Sequence, residues 1–271
     1  MIKRFFCVIC LLSALLEGFE EKPWFGNLYE FYVDASYTFS RFSAVSRAVH
    51  QIRSPWNINL LTLDLGLSPV NTWDVQLELE LASSPKQTFG RRSTALEVRT
   101  LLLDDIIGDL VSLSAGVSVR QTAHQSLRDI SCPSSARYDF ELNSAIGKEW
   151  SIGPDWRSRV YGLGAVGQGT HGSPWVRARA VYQMQKPEAH AIEFFALGYF
   201  GFGGKKEIYV NDFHGWGSYD HSSCDVGLGY RVDFGLWGYL RLDYAHRVYA
   251  KVYPKGTNSL LISYHLPFSL F

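Results

Sequence analysis

Along most of the chain, apolar and polar residues alternate one for one. In TWDVQLELELA, Trp73, Val75, Leu77, Leu79 and Leu81 fall on one parity and Asp74, Gln76, Glu78 and Glu80 on the other. A strand sends successive side chains to opposite faces, whereas a helix would mix the two sets. LVSLSAGVSVR repeats the pattern, with Val111, Leu113, Ala115, Val117 and Val119 against Ser112, Ser114, Gly116, Ser118 and Arg120. PWVRARAVYQM sets Val176, Ala178, Ala180, Tyr182 and Met184 against Arg177, Arg179 and Gln183. FGLWGYLRLDYAHRVY sets Leu236, Leu240, Leu242 and Tyr244 against Trp237, Tyr239, Arg241 and Asp243. The closing LLISYHLPFSLF keeps Leu260, Ile262, Tyr264, Leu266, Phe268 and Leu270 in phase and ends on Phe271.

Twelve segments read this way: 28–41, 56–68, 73–82, 94–104, 109–121, 137–149, 156–167, 174–184, 190–202, 219–232, 235–249 and 258–271. They exceed the roughly 5–6 residues of an ordinary soluble strand. They match the roughly 9–11 that a tilted strand needs to cross a bilayer. Connections alternate in length. SPVN, the stretch around Asp105–Gly108, WSIGPD, QKPEA and DFG are short and carry turn residues. Ser43–Pro55, Ser83–Ser93, Thr122–Ala136, Gln168–Ser173, Gly203–Ser218 and Ala250–Thr257 are longer. This is the rhythm of an up-and-down sheet with turns at one end and loops at the other.

MIKR followed by FFCVICLLSALL has the cationic start and short apolar core of a secretory signal peptide, assigned to residues 1–18. Residues 19–271 then form one domain, without a linker or a composition break. No later stretch is apolar for long enough to cross a membrane as a helix. The formal net charge is zero, so no basic surface points to nucleic acid. Export leaves Cys132 and Cys224 as a pair that an oxidising compartment would allow to bridge. Beyond the segment read as the signal peptide, which holds Cys7 and Cys10, no CxxC or HxxxH spacing occurs, so neither a metal nor a cofactor is expected.

From about residue 28 to residue 271 the chain resembles the bacterial outer-membrane β-barrels: long alternating strands, alternating short and long links, and an aromatic C-terminus. The resemblance implies an all-β fold, a closed up-and-down antiparallel transmembrane barrel of about 12 strands. It implies a place in the outer membrane of a Gram-negative bacterium, among its lipids and lipopolysaccharide. It also implies recognition by the barrel-assembly machinery through the C-terminal strand ending at Phe271. Closure follows from physics as well, since an open sheet edge would leave backbone groups unpaired in lipid. Trp24, Phe25, Tyr29, Trp56, Trp73, Trp150, Trp156, Trp175, Tyr199 and Tyr219 lie near segment ends, where an aromatic girdle would sit.

If the apolar parity faces lipid, the polar parity fills the lumen. That puts Asp64, Asp74, Glu78, Glu80, Glu97 and Arg99 inside from one half of the barrel. Arg157, Arg159, Arg177 and Arg179 enter from the other, with Arg241 and Asp243 beyond them. Two readings follow: a transverse field across a narrow pore, or a salt-bridged plug. The function expected is a narrow, porin-like channel for small polar or charged solutes, or a structural surface barrel; an enzyme is less favoured. One enzymatic alternative rests on His221 and Ser223, whose His-x-Ser spacing on a strand resembles the outer-membrane phospholipases, with Asp225 alongside. Cys224 and Asp225 stand where that family has Asn-Gly, and alternation with Val226 and Leu228 turns the pair inward. A third reading is a binding protein acting through loops 122–136 and 203–218.

Overall fold

The computed structural model describes residues 22–26 and 28–269. The signal-peptide assignment and the last two residues, Leu270 and Phe271, lie outside the described residues. Twelve antiparallel strands close into a barrel. They are β1 (Glu30–Phe42), β2 (Trp56–Val70), β3 (Trp73–Ser84), β4 (Gln87–Leu103), β5 (Ser112–Thr122) and β6 (Tyr138–Ile152). The circuit continues with β7 (Trp156–Gly169), β8 (Trp175–Lys186), β9 (His190–Phe202), β10 (Asp220–Asp233), β11 (Tyr239–Lys251) and β12 (Asn258–Ser269). Each strand pairs with its sequence neighbours, and β12 pairs with β1 from Glu30–Ser269 to Arg41–Asn258.

The alternation assigns the two faces. Leu77, Leu96, Leu142, Phe194, Leu228 and Ile262 are exposed on the outside, while Asp64, Asp74, Gln76, Glu78, Glu97 and Glu193 are buried inside. A water-soluble sandwich would bury the first set. An exposed apolar belt around a polar interior is the architecture of a barrel that crosses a bilayer. Barrels of this type put short turns toward the periplasm and longer loops outside the cell, which orients the chain.

Two sequence expectations change, and the question of a disulfide is answered. Residues 83–93 are not a loop: β3 and β4 run on to a tight turn at Pro85–Lys86, with register shifts near Leu81 and Ser84. The shift hides the strand, because it leaves Arg92 as an extra residue and turns both Arg92 and Ser93 inward, which breaks the alternation. β11 begins at Tyr239 because Gly235–Trp237 form a 3-10 turn. Gly235 and Gly238 adopt φ of 62° and 82°, a left-handed backbone that closes this turn. Leu236 and Trp237 are therefore exposed turn residues rather than strand residues. Finally, Cys132 and Cys224 are separate buried thiols, one under the loops and one in β10.

The girdle divides. Tyr29, Trp73 and Trp150 are exposed, but Trp56, Trp175, Tyr199 and Tyr219 turn inward and are buried. Some inward rings lie against a glycine of the neighbouring strand. Tyr32 faces Gly66 in register and Phe195 faces Gly227. A Cβ at Gly66 would stand 1.8 Å from the Tyr32 ring, and one at Gly227 would stand 2.2 Å from Phe195. Each ring occupies the space that any side chain would need.

Candidate functional site

The lumen has three parts: a polar wall, a strap at the turn end and a cap at the loop end.

The wall is a network of compensated charges. Arg99 donates to Asp74 at 2.7 Å and lies 3.7 Å from Glu97. Glu97 accepts from Asn143, which also donates to Glu141. Arg177 closes this run by donating twice to Glu141, at 2.7 and 2.9 Å. A second group joins Arg120 to Glu78 and Glu80, with Arg92 3.6 Å from Glu80. A third joins Gln183 and Arg241 to Glu193, and Arg241 also to Asp243. Asp64 is buried in β2, in register between Asp34 and Glu78. Arg179 stacks over Phe195, and Arg159 pairs with Glu149 at 2.5 Å. Arg157 sits at the turn-end rim, half exposed, 3.5 Å from the same glutamate.

The expected contrast of an acidic half and an arginine half gives way to local pairing. Arg92, Arg99 and Arg120 stand among the acids, and Glu141, Glu149 and Glu193 among the arginines. A buried charge is tolerated when a partner and hydrogen bonds replace its water, and adjacent strands supply these at shorter range than the far wall. Arg92, Arg120, Glu141, Glu193 and Arg247 complete the network without having been singled out from the sequence. The alternation of Asp139, Glu141 and Asn143 against Phe140 and Leu142 would have revealed Glu141.

The strap is residues 22–26, which fold into the turn end of the lumen. The Trp24 indole donates to Asp105 at 2.8 Å and meets Tyr161 edge-on, with Arg159 4.8 Å above its ring. Arg99 lies 5.0 Å over Phe25 and donates to the Lys22 carbonyl at 3.0 Å. Gly147 makes room, since a Cβ there would come within 2.8 Å of both Pro23 and Trp24. Two residues expected in a girdle thus fill the bore.

Asp105 holds this strap from the turn between β4 and β5. Partial burial raises its carboxyl. Hydrogen bonds from the Glu149 amide, the Ser112 hydroxyl and the Trp24 indole, with the Lys148 charge, outweigh that and hold it below its ordinary value of 3.8. A depressed carboxylate stabilises the folded arrangement above its unfolded value and loses that contribution as the pH falls through the folded one. Strap docking is therefore expected to be intact at neutral pH and to weaken below about pH 4. Asp105→Asn should give the same loosening at pH 7, read as a change in Trp24 fluorescence in a variant whose other tryptophans are replaced by Phe. Identical spectra for the two proteins would remove Asp105 from this role.

The cap is made by the long loops. Phe42, Val45, Trp56, Ile130, Ile208, Phe213, Trp216 and Tyr253 belong to one buried cluster at the mouth. Ala48 bridges to Ile208, Ser46 donates to the Tyr253 carbonyl, and the Trp216 indole donates to the Cys132 carbonyl at 2.7 Å. Arg247 ties the cap to the wall: it donates twice to Asp225, at 2.7 and 2.8 Å, and once to the Pro254 carbonyl. Below the cap lies a small cavity of about 50 Å³, bounded by Phe42, Leu60, Glu80, Arg92, Arg247 and Tyr253.

His221 and Ser223 are both buried under this cap. His221 stacks on Tyr253 at 5.4 Å and lies 5.0 Å from Trp216, with Nδ1 3.1 Å from the Tyr219 carbonyl. Asp225 is engaged by Arg247 rather than orienting the imidazole. The pair is buried under the cap and faces away from lipid, and the acid beside it is taken by Arg247, so the hydrolase reading is not supported. Loops 122–136 and 203–218, considered as partner-binding loops, send Ile130, Cys132, Phe213 and Trp216 into the cap.

No protein-family model matches the sequence, and no curated protein matches it. Solved structures do share the fold. The COG4313 outer membrane channel from Pseudomonas putida F1 superposes with a TM-score of 0.67 at 14% identity, covering 93% of this chain and all of that one. The NanC porin gives 0.51 at 10% identity, over 85% of this chain and 97% of the other. The β domain of the Bordetella autotransporter BrkA gives 0.50 at 12% identity, over 89% and 100%. The fold is that of bacterial outer-membrane β-barrels. It occurs in a channel, a porin and an autotransporter β domain alike, so function has to be argued from the lumen.

Proposed function

We propose that this chain is a narrow outer-membrane channel for small polar or charged solutes, described here in a closed state. The observation that carries the reading is the construction of the closure. The permanent wall is polar and charge-compensated, and the bore is filled by two chain segments, the strap and the cap, that are not part of the wall. A barrel with only a scaffolding role has no need of a polar wall behind separate stoppers. Lipid contacts the exposed belt. Assembly through the C-terminal strand fits the full pairing of β12 with β1.

Conductance of the refolded mature protein in planar bilayers tests this. Wild-type protein should conduct weakly, and removal of residues 22–26 should raise the current severalfold. Arg177→Gln leaves Glu141 uncompensated in the bore, so its residual current should shift toward cations. A folded, inserted barrel that stays silent both after strap removal and with Trp216→Ala in the cap would overturn the channel reading.

A further inference from the structure

The outward face of β4–β6 departs from the rest of the belt at its loop end. Arg91 points outward beside Leu81 and donates to Gln121 on β5 at 3.4 Å. Gln121 donates to the Tyr138 hydroxyl on β6 at 3.0 Å, and the Arg137 guanidinium lies 5.8 Å from the Tyr138 ring. Arg91, Gln121 and Tyr138 on three strands, with Arg137 in the loop just before β6, thus form one outward polar row with an arginine at each end. Directly beneath are Leu96, Phe140 and Leu142, all exposed. Above are two further exposed cations, Lys86 in the β3–β4 turn and Arg128 in the β5–β6 loop. The acid of that loop, Asp129, is buried and bonded to Ser84 and the Ser131 amide. Among the described residues, the outward positions of β3–β7 carry no carboxylate.

A cationic row at the upper border of a lipid-facing surface has a specific chemical complement. Zwitterionic lipid carries no net charge to offset two or more guanidinium groups. A glycolipid with phosphates on its sugars and acyl chains below does. Guanidinium forks suit phosphate, and an amide and a phenol suit sugar hydroxyls. We propose that the β4–β6 face is a docking site for lipopolysaccharide, with lipid A phosphates on Arg91 and Arg137 and its acyl chains over Leu96, Phe140 and Leu142. The site rests on the loop end facing outward and on continuity with the lipid belt. It is independent of whether the lumen conducts.

The test is native mass spectrometry of the mature barrel released from detergent, with hexa-acylated bisphosphoryl lipid A as the probe. Wild type should retain one lipid, and R91Q/R137Q should bind it at least about tenfold more weakly, since two charge-assisted contacts are lost. Lys148→Gln, an outward cation at the turn end, should bind as wild type does. Both variants can be checked for the folded electrophoretic band. Dephosphorylated lipid A should bind as weakly to wild type as the bisphosphate does to R91Q/R137Q. Equal retention by wild type and R91Q/R137Q would overturn the site. So would retention insensitive to the phosphates. Displacement of lipid A by millimolar inorganic phosphate would identify a bare anion site and overturn the glycolipid assignment.

Discussion

Trp216→Ala is expected to open the mouth of the barrel while leaving the barrel itself folded. Trp216 is fully buried at the centre of the cap. Its ring contacts Tyr253 at 4.3 Å, Phe213 at 4.8 Å and Tyr219 at 5.8 Å, and its N–H holds the Cys132 carbonyl of another loop. Truncating such a side chain costs about 3–5 kcal/mol through lost transfer energy and the cavity left behind. The cost falls on the cap, because the twelve ladders do not depend on this ring. Loops 203–219 and 252–257 should become cleavable by trypsin at Lys205, Lys206 and Lys255, all exposed, and conductance should rise. The folded electrophoretic band should persist. A variant with unchanged proteolysis and current would show that the loops are held closed by something other than this aromatic core.

Arg247→Leu is expected to lower stability by about 3–5 kcal/mol, the usual cost of leaving one member of a buried ion pair without its partner. The guanidinium is enclosed, with hydrogen bonds to both Asp225 oxygens and to the Pro254 carbonyl, and Tyr253 stacks on it at 4.7 Å. Removing it strands Asp225 and releases the β11–β12 loop from the wall. The urea midpoint of refolded protein in detergent should fall accordingly. The double variant D225L/R247L should recover much of the loss, because neither charge then remains buried alone. Additive losses in the double variant would show that the two side chains act independently.

These effects trace how much of the molecule was readable in the sequence. The twelve segments were legible because a lipid-facing strand must be apolar at every second residue, a constraint that local sequence cannot escape. Boundaries failed where that constraint lapses. Beyond the belt, Gln87–Arg91 need not alternate, and a register shift puts the neighbours Arg92 and Ser93 on the same inner face. Gly235–Trp237 kept the alternating composition while leaving the strand. The lumen residues were legible as a set, since parity places Glu97 or Arg177 inside. Their partners were not, because pairing depends on stagger between strands: Arg99 meets Asp74 and Glu97, and Arg177 reaches Glu141 two strands away. The strap and cap were hardest. Trp24, Trp175 and Trp216 have the composition of a girdle, and only the path of the chain turns them inward.

The rings laid over glycines have a consequence for calibre. Tyr32 and Phe195 rest flat on Gly66 and Gly227, so at those heights each intrudes on the bore by the thickness of an aromatic plane rather than by its length. The free width there is set by a hydrogen atom on the neighbouring strand, not by the large residue itself. One methyl group at either glycine would swing the ring across the lumen, so the gauge of this barrel is written in its smallest side chains.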